Sequence, residues 1–120
     1  MLLAIDIGNT NISLGLFEGN RLRKRLVIPT KEKKYQPALR KIFQQNKIHD
    51  AIICSVVPET SKILEKDLKK LLGKQPYIIG KGIKAPIKNL YRKPRQVGQD
   101  RFVNAYAGVI LYGAPLIAVD

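Results

Sequence analysis

The sequence predicts an α/β domain on a mixed sheet, with elements in the order βββαβαβα. Three observations predict it. Residues 2–28 alternate apolar and polar positions around two short polar turns, the pattern of antiparallel strands with one buried face. Two later segments carry a single apolar stripe at helical spacing. Between those stripes lies the unbroken apolar run Ala51-Ile52-Ile53-Cys54-Ser55-Val56-Val57, which suits a parallel strand covered on both faces.

Leu2-Leu3-Ala4-Ile5 is the first strand and Asp6-Ile7-Gly8-Asn9-Thr10 a polar turn after it. Ile12, Leu14 and Leu16 then alternate with Ser13, Gly15 and Phe17 as the second strand. Glu18-Gly19-Asn20 makes a tight turn, and Arg21 to Ile28 return as a third strand with one apolar face. Past the charged connection Pro29 to Lys34, residues Tyr35, Ala38, Leu39, Ile42 and Phe43 fall at i, i+3, i+4, i+7 and i+8 of a helix ending near Asn46. Pro58 stops the apolar strand and opens a second helix, striped by Ile63, Leu64, Leu68, Leu71 and Leu72 and closed by Gly73. Gln75 to Gly80 form a short further strand. Lys81 to Val97, with Gly82, Pro86, Pro94 and many basic residues, is expected as a long surface loop. A last helix runs from Gly98 to Gly113, with Gln99-Asp100-Arg101 as its polar first turn and Phe102, Val103, Tyr106 and Ile110 on a core face. Pro115 to Asp120 read as the start of a buried strand, so residues 1–113 form one domain and 114–120 the first strand of a second, truncated one.

With 120 residues and 45% hydrophobic content, the chain is one ordinary domain with a packed core. No apolar run reaches the ~20 residues of a membrane span, and Met1 leads directly into a strand without a basic leader, so a cytoplasmic location is expected. Cys54 and His49 are each the sole residue of their type, which leaves neither a disulfide nor a Cys/His metal cluster. The net charge of +13 raises nucleic-acid binding. Against it, the basic residues are spread over segments from Arg21 to Arg95 without interleaved aromatic residues for base stacking. An anionic ligand would suit such a surface equally well.

The first turn has chemical uses. Gly8 can adopt φ > 0, Asn9 tolerates the same region, and successive backbone N–H groups there suit phosphate oxygens. Asp6, at the strand end, could hold a hydrated Mg²⁺ against those phosphates. The same residues also fit a plain hairpin closed by Gly8-Asn9 with Asp6 in an Asx turn. Asp100 likewise reads either as a reactive carboxylate or as a helix cap. By position alone, Arg101 is a solvated first-turn charge and Tyr91 a loop aromatic.

The βββαβαβα order opening on a phosphate-type hairpin resembles one ribonuclease-H-like domain of the actin/Hsp70/sugar-kinase superfamily, in which two such domains close on ATP. Leu116-Ile117-Ala118-Val119-Asp120 repeats the character of Leu2-Leu3-Ala4-Ile5-Asp6, four apolar residues and a carboxylate. Within that superfamily the chain resembles type III pantothenate kinase, the family that includes the Bvg accessory factors. Asp6 to Asn11, Ser55-Val56-Val57-Pro58, Gly98-Gln99-Asp100-Arg101 and Val119-Asp120 carry the resemblance in order and spacing.

The resemblance implies ATP-dependent phosphorylation of pantothenate, the first step of coenzyme A biosynthesis, by a homodimer using Mg²⁺ and a monovalent cation, K⁺ or NH₄⁺. Asp6, Ile7, Gly8, Asn9, Thr10, Asn11, Ile12 and Ser13 would form the phosphate loop. Tyr91, Gly98, Gln99, Asp100 and Arg101 would line the pantothenate site, with Asp100 the proton acceptor, and Asp120 would bind the monovalent cation. With the second phosphate loop missing, the 120 residues alone are expected to be inactive. Two alternatives stand beside this: a nucleic-acid-binding or regulatory module using Lys81 to Arg95, and a different kinase of the same fold.

Overall fold

Every second residue of the first two strands is apolar and buried, and this alternation sets the orientation of the sheet. In the structure, a computed structural model that describes residues 1–119, β1 (Leu2–Ile7), β2 (Asn11–Glu18) and β3 (Arg21–Pro29) form an antiparallel meander. The chain then makes a short 3₁₀ turn at Thr30–Glu32 and enters α1 (Gln36–Gln45). β4 (Asp50–Ser55) follows, pairing parallel with β1, then α2 (Pro58–Leu72) and β5 (Tyr77–Ile79), parallel to β4. α3 (Gln99–Tyr112) closes the order. The strands stand as β3-β2-β1-β4-β5-β6, β6 being Gly82–Ile83 at the edge. Antiparallel β1 to β3 with β4 and β5 parallel to β1 is the expected ribonuclease-H-like α/β arrangement.

One face of the sheet carries the core. Leu3, Ile5 and Ile7 of β1, Ile12, Leu14 and Leu16 of β2, and Ala51 and Ile53 of β4 are buried against Leu39 and Ile42 of α1 and Leu64 and Leu68 of α2. α1 carries the chain from edge strand β3 across β2 and β1 to β4, and α2 is the crossover from β4 to its parallel neighbour β5, which seats both on the sheet. Pro lies in the first turn of each, where its missing N–H costs nothing, and Gly73 ends α2 at φ +71° with its N–H on the Lys69 carbonyl.

The opposite face carries Ala4, Asp6, Ser13, Gly15, Phe17, Ile52 and Cys54, and only α3 approaches it. Between them remains a cavity of about 300 Å³, floored by these strands and reached by Val103 of α3.

Four expectations change. The first strand runs on through Asp6 and Ile7, because both pair with β2 and β4 and leave only Gly8 to Thr10 outside the ladders. Gly80 at φ +89°, expected as the end of a strand, and Gly82 at φ +88° in the expected loop bend the chain so that β6 pairs beside β5, and a 3₁₀ turn forms in that loop at Pro94–Gln96. No residue of α3 is buried: Phe102 and Val103 are half-covered, whereas Ile110 stays 65% exposed, because the helix meets the sheet mainly through its first half. Residues 115–119 form no strand, since they pair with no neighbour, and Ile117 and Val119 are exposed. Asp120 lies outside the described residues.

Candidate active site

The site is assembled at the carboxyl ends of β1 and β4, the end of a parallel pair where ligands of open α/β sheets bind. Register does the first part of the work. Asp6 stands opposite Cys54 and Ile7 opposite Ser55, and the Val56 N–H continues the pairing onto the Ile7 carbonyl at 3.1 Å. Ser55 then ends β4 through its own hydroxyl, which accepts from the Val57 N–H at 3.0 Å and lies 3.1 Å from the Val57 carbonyl. That side-chain turn frees the chain to enter α2 at Pro58.

The β1–β2 turn is tight and tied down. Gly8 donates its N–H to the Asn11 carbonyl at 2.9 Å, and a Cβ on Gly8 would lie 3.1 Å from that oxygen. Close backbone approach, not φ > 0, therefore selects glycine: among the described residues Gly8 and Asn9 are both outside the positive-φ set. Asn9, Thr10 and Asn11 are exposed to an incoming ligand, while Ile12 is buried and Ser13 half-buried.

A residue that sequence reasoning passed over holds this turn in place. Thr30, buried immediately after β3, donates its hydroxyl to the Gly8 carbonyl at 2.8 Å and its N–H to the Thr10 carbonyl at 2.9 Å. Its own carbonyl accepts the phenolic O–H of buried Tyr35. The only signal was a threonine directly after the strand-ending Pro29, which is too common to single out. Thr30→Val should cost about 1–3 kcal/mol by leaving the Gly8 carbonyl without its donor. It should also speed amide exchange at Gly8 and Asn11, measured by hydrogen exchange, with the β4 amides unchanged.

α3 brings the third component. Gly98 is the N-cap residue, so Asp100 is the second residue of the helix and does not cap it through its side chain. Its Oδ1 accepts the Arg101 N–H at 3.0 Å, and a carboxylate in this first turn lies favourably with the helix dipole. A Cβ at Gly98 would rest 3.5 Å from Val56 and run into Asp100 Oδ1 as that side chain now stands, so any larger residue there would turn the Asp100 carboxylate aside. Gln99 packs over Gly80, where a Cβ would lie 3.1 Å from its Cδ, seating the helix start on the end of β5.

Cys54 reports how these parts meet. Burial pushes its thiol up to about 11, and the negative charges of Asp6 and Asp100 push it in the same direction. Both carboxylates thus act on one thiol from different elements, Asp6 across the ladder and Asp100 from the helix above. A thiol so protected stays protonated at pH 8, and its thiolate population is on the order of a hundredfold below that of an ordinary cysteine. Alkylation by iodoacetamide should be slow at pH 8 and should rise only above about pH 10; Asp6→Asn or Asp100→Asn should each bring the rise to lower pH.

Tyr91 lies elsewhere. It is 57% exposed in the loop after β6, with its N–H on Asn89 Oδ1 at 3.0 Å, and it lines a different concavity with Leu90, Arg92, Lys93 and Gln96. Arg101 is exposed beside Asp100. The corner therefore joins Asp6 and Cys54 with the start of α3 at Gly98 and Asp100, whereas Tyr91 lines another concavity. Among the described residues no group of three or more His, Cys, Asp or Glu side chains gathers for a metal.

A family model described as type III pantothenate kinase matches residues 2–120. The chain belongs to the type III pantothenate kinase family. A protein of that name from Agathobacter rectalis is 40% identical over 129 aligned positions, covering 100% of this chain and 50% of its own length. Type III pantothenate kinases from Moorella thermoacetica and Brevibacillus brevis are 39% and 41% identical, each with 100% of this chain and 51% of their own length aligned. The chain spans about half the length of the curated relatives it matches. Among solved structures, a chain from a PilM–PilN type IV pilus biogenesis complex superposes on 96% of this chain and 46% of its own length, with a TM-score of 0.52 at 17% identity. That likeness is one of fold. Within the type III pantothenate kinase family, then, the Asp6 turn and the Gly98-Gln99-Asp100-Arg101 helix start belong to this half of the molecule.

Proposed function

We propose that the protein phosphorylates pantothenate with ATP, giving 4'-phosphopantothenate in the first step of coenzyme A biosynthesis. One observation carries the reading: in a chain of this family, the parallel register sets Asp6 beside Cys54 at the end of β4, where the start of α3, with Gly98 and Asp100, meets Val56. Phosphoryl transfer asks a protein mainly for positioning and charge stabilisation, which such a corner can supply.

The turn from Asp6 to Ser13 takes the ATP phosphates. The turn suits phosphates: a Cβ on Gly8 would lie as close as 3.1 Å to the Asn11 carbonyl oxygen, the middle residues are exposed, and a carboxylate stands at the strand end beside it. Asp6 would hold the Mg²⁺ that accompanies ATP, and that ion supplies neutralisation of phosphate charge. Asp100 accepts the proton of the pantothenate primary hydroxyl as that oxygen forms its bond to the γ-phosphorus and the bond to ADP breaks. Gly98 and Gln99 shape the approach, and Arg101 holds an anionic group of the substrate. Asp120 binds the monovalent cation, K⁺ or NH₄⁺. The working form is a cytoplasmic homodimer; no helix among the described residues is long and apolar enough to cross a membrane.

The test is ADP release by the full-length protein with Mg²⁺ and ATP, with and without pantothenate, in K⁺, NH₄⁺ or Na⁺. Release that requires pantothenate, and that is faster in K⁺ or NH₄⁺ than in Na⁺, is the expected result. A folded, nucleotide-binding protein that releases no ADP with pantothenate but does so with another alcohol would overturn the substrate and leave a different kinase of the fold.

A further inference from the structure

On the outer surface of the two crossover helices lies a groove of about 930 Å³ between the start of α1 and the middle of α2. Its walls carry Lys33, Lys34, Arg40, Lys41, Lys66 and Lys70. Against these six cations the lining holds a single carboxylate, Asp67, which is buried and already accepts Gln36 Nε2 at 2.7 Å. Among the described residues, ion pairs engage Arg23, Lys74 and Lys81, and none of the six groove cations. All six are exposed. Like charges gathered in a concave surface repel one another and raise the local concentration of anions.

We propose that this groove binds a linear chain of inorganic polyphosphate. The proposal is independent of the kinase reading. Three features select the ligand. Lys66 and Lys70 are one helical turn apart, about 6 Å along the axis, with Arg40 and Lys41 on the facing helix, so the cations form two walls along a line and not one anion-sized cup. Five of the six are lysines, point charges that attract phosphate without demanding the paired geometry an arginine fork reads in a lone carboxylate. The one aromatic ring in the lining, Tyr35, is buried with its hydroxyl bonded to the Thr30 carbonyl, so no ring is presented for stacking a base. Recognition would then rest on charge spacing alone. A phosphate chain carries a charge on every link without bulky side chains, and it can meet six cations within this volume where an acidic peptide would need many more atoms.

The test measures binding of short-chain inorganic polyphosphate and of a labelled oligothymidylate to the full-length protein at about 50 mM and about 200 mM salt. Two charge-matched double variants are compared: Lys66→Glu with Lys70→Glu in the groove, and Lys84→Glu with Lys88→Glu in the exposed loop after β6. Salt-sensitive binding of either probe should weaken about tenfold or more in the groove variant, with a salt slope smaller by about 1.4, and should stay within about twofold in the loop variant. Polyphosphate should bind the more tightly of the two; tighter binding of the oligothymidylate would make the ligand a nucleic-acid backbone and overturn the polyphosphate assignment. Equal loss in both variants would show attraction by bulk charge, and loss only in the loop variant would move the surface to Lys81 to Arg95; either overturns the groove. Absence of binding at the lower salt, or equal binding of poly-glutamate, overturns the ligand class.

Discussion

Asp100→Asn in the full-length protein should lower pantothenate-dependent turnover by about 10²- to 10⁴-fold, the range for removing a positioned proton acceptor. Asparagine keeps the size of the side chain and can still accept the Arg101 N–H through its own Oδ1, so the start of α3 should keep its shape. ATP binding, which the proposed function assigns to the β1–β2 turn, should change by no more than a few-fold. That split separates chemistry from folding. A loss below tenfold, with Cys54 alkylation shifted as expected, would leave Asp100 at the corner but remove it from the proton transfer.

The second large effect concerns stability. Ile53 is fully buried at the centre of the sheet, on the face packed by α1 and α2, and Ile53→Ala should cost about 2–5 kcal/mol through lost burial and an unfilled cavity. The urea midpoint should fall with the slope unchanged. Ile110 has the same side chain on α3 but is 65% exposed, and Ile110→Ala should stay within about 0.5 kcal/mol. The contrast tests which face of the sheet carries the core. Equal costs for the two would mean that α3 is packed as firmly as α1 and α2.

Much of this fold was legible because its signals are local. Ile12, Leu14 and Leu16 alternate with smaller residues, Leu64, Leu68, Leu71 and Leu72 form one stripe, and Gly73 stops it, so β2 and α2 follow from neighbouring residues alone. The stripe on α3 was equally visible, yet Tyr106 and Ile110 are exposed, because periodicity reports which residues share a face and not whether anything covers that face. The Gly8 turn was placed correctly for a different reason from the one expected: close contact with the Asn11 carbonyl, which composition cannot reveal. Asp6 was singled out by the chemistry of its turn, and Gly98 to Arg101 by their resemblance to a family motif. Their convergence on Cys54 was not legible, since it depends on a parallel register between strands separated by a whole helix. Thr30 was missed because its two bonds to the turn arise only after β3 has paired.

That parallel register also orders events in time. The β1–β2–β3 meander closes through short turns, so it can form while little of the chain is available. Pairing β1 with β4 instead closes the long loop from Leu2 to Asp50, a non-local step that slows folding. During synthesis, the inner edge of β1 therefore waits unpaired until residues 50–55 have emerged. An apolar strand with an open edge is a template for wrong partners. Substitutions that weaken β4 should thus appear in cells first as aggregated nascent chain, before any defect in the mature protein can be measured.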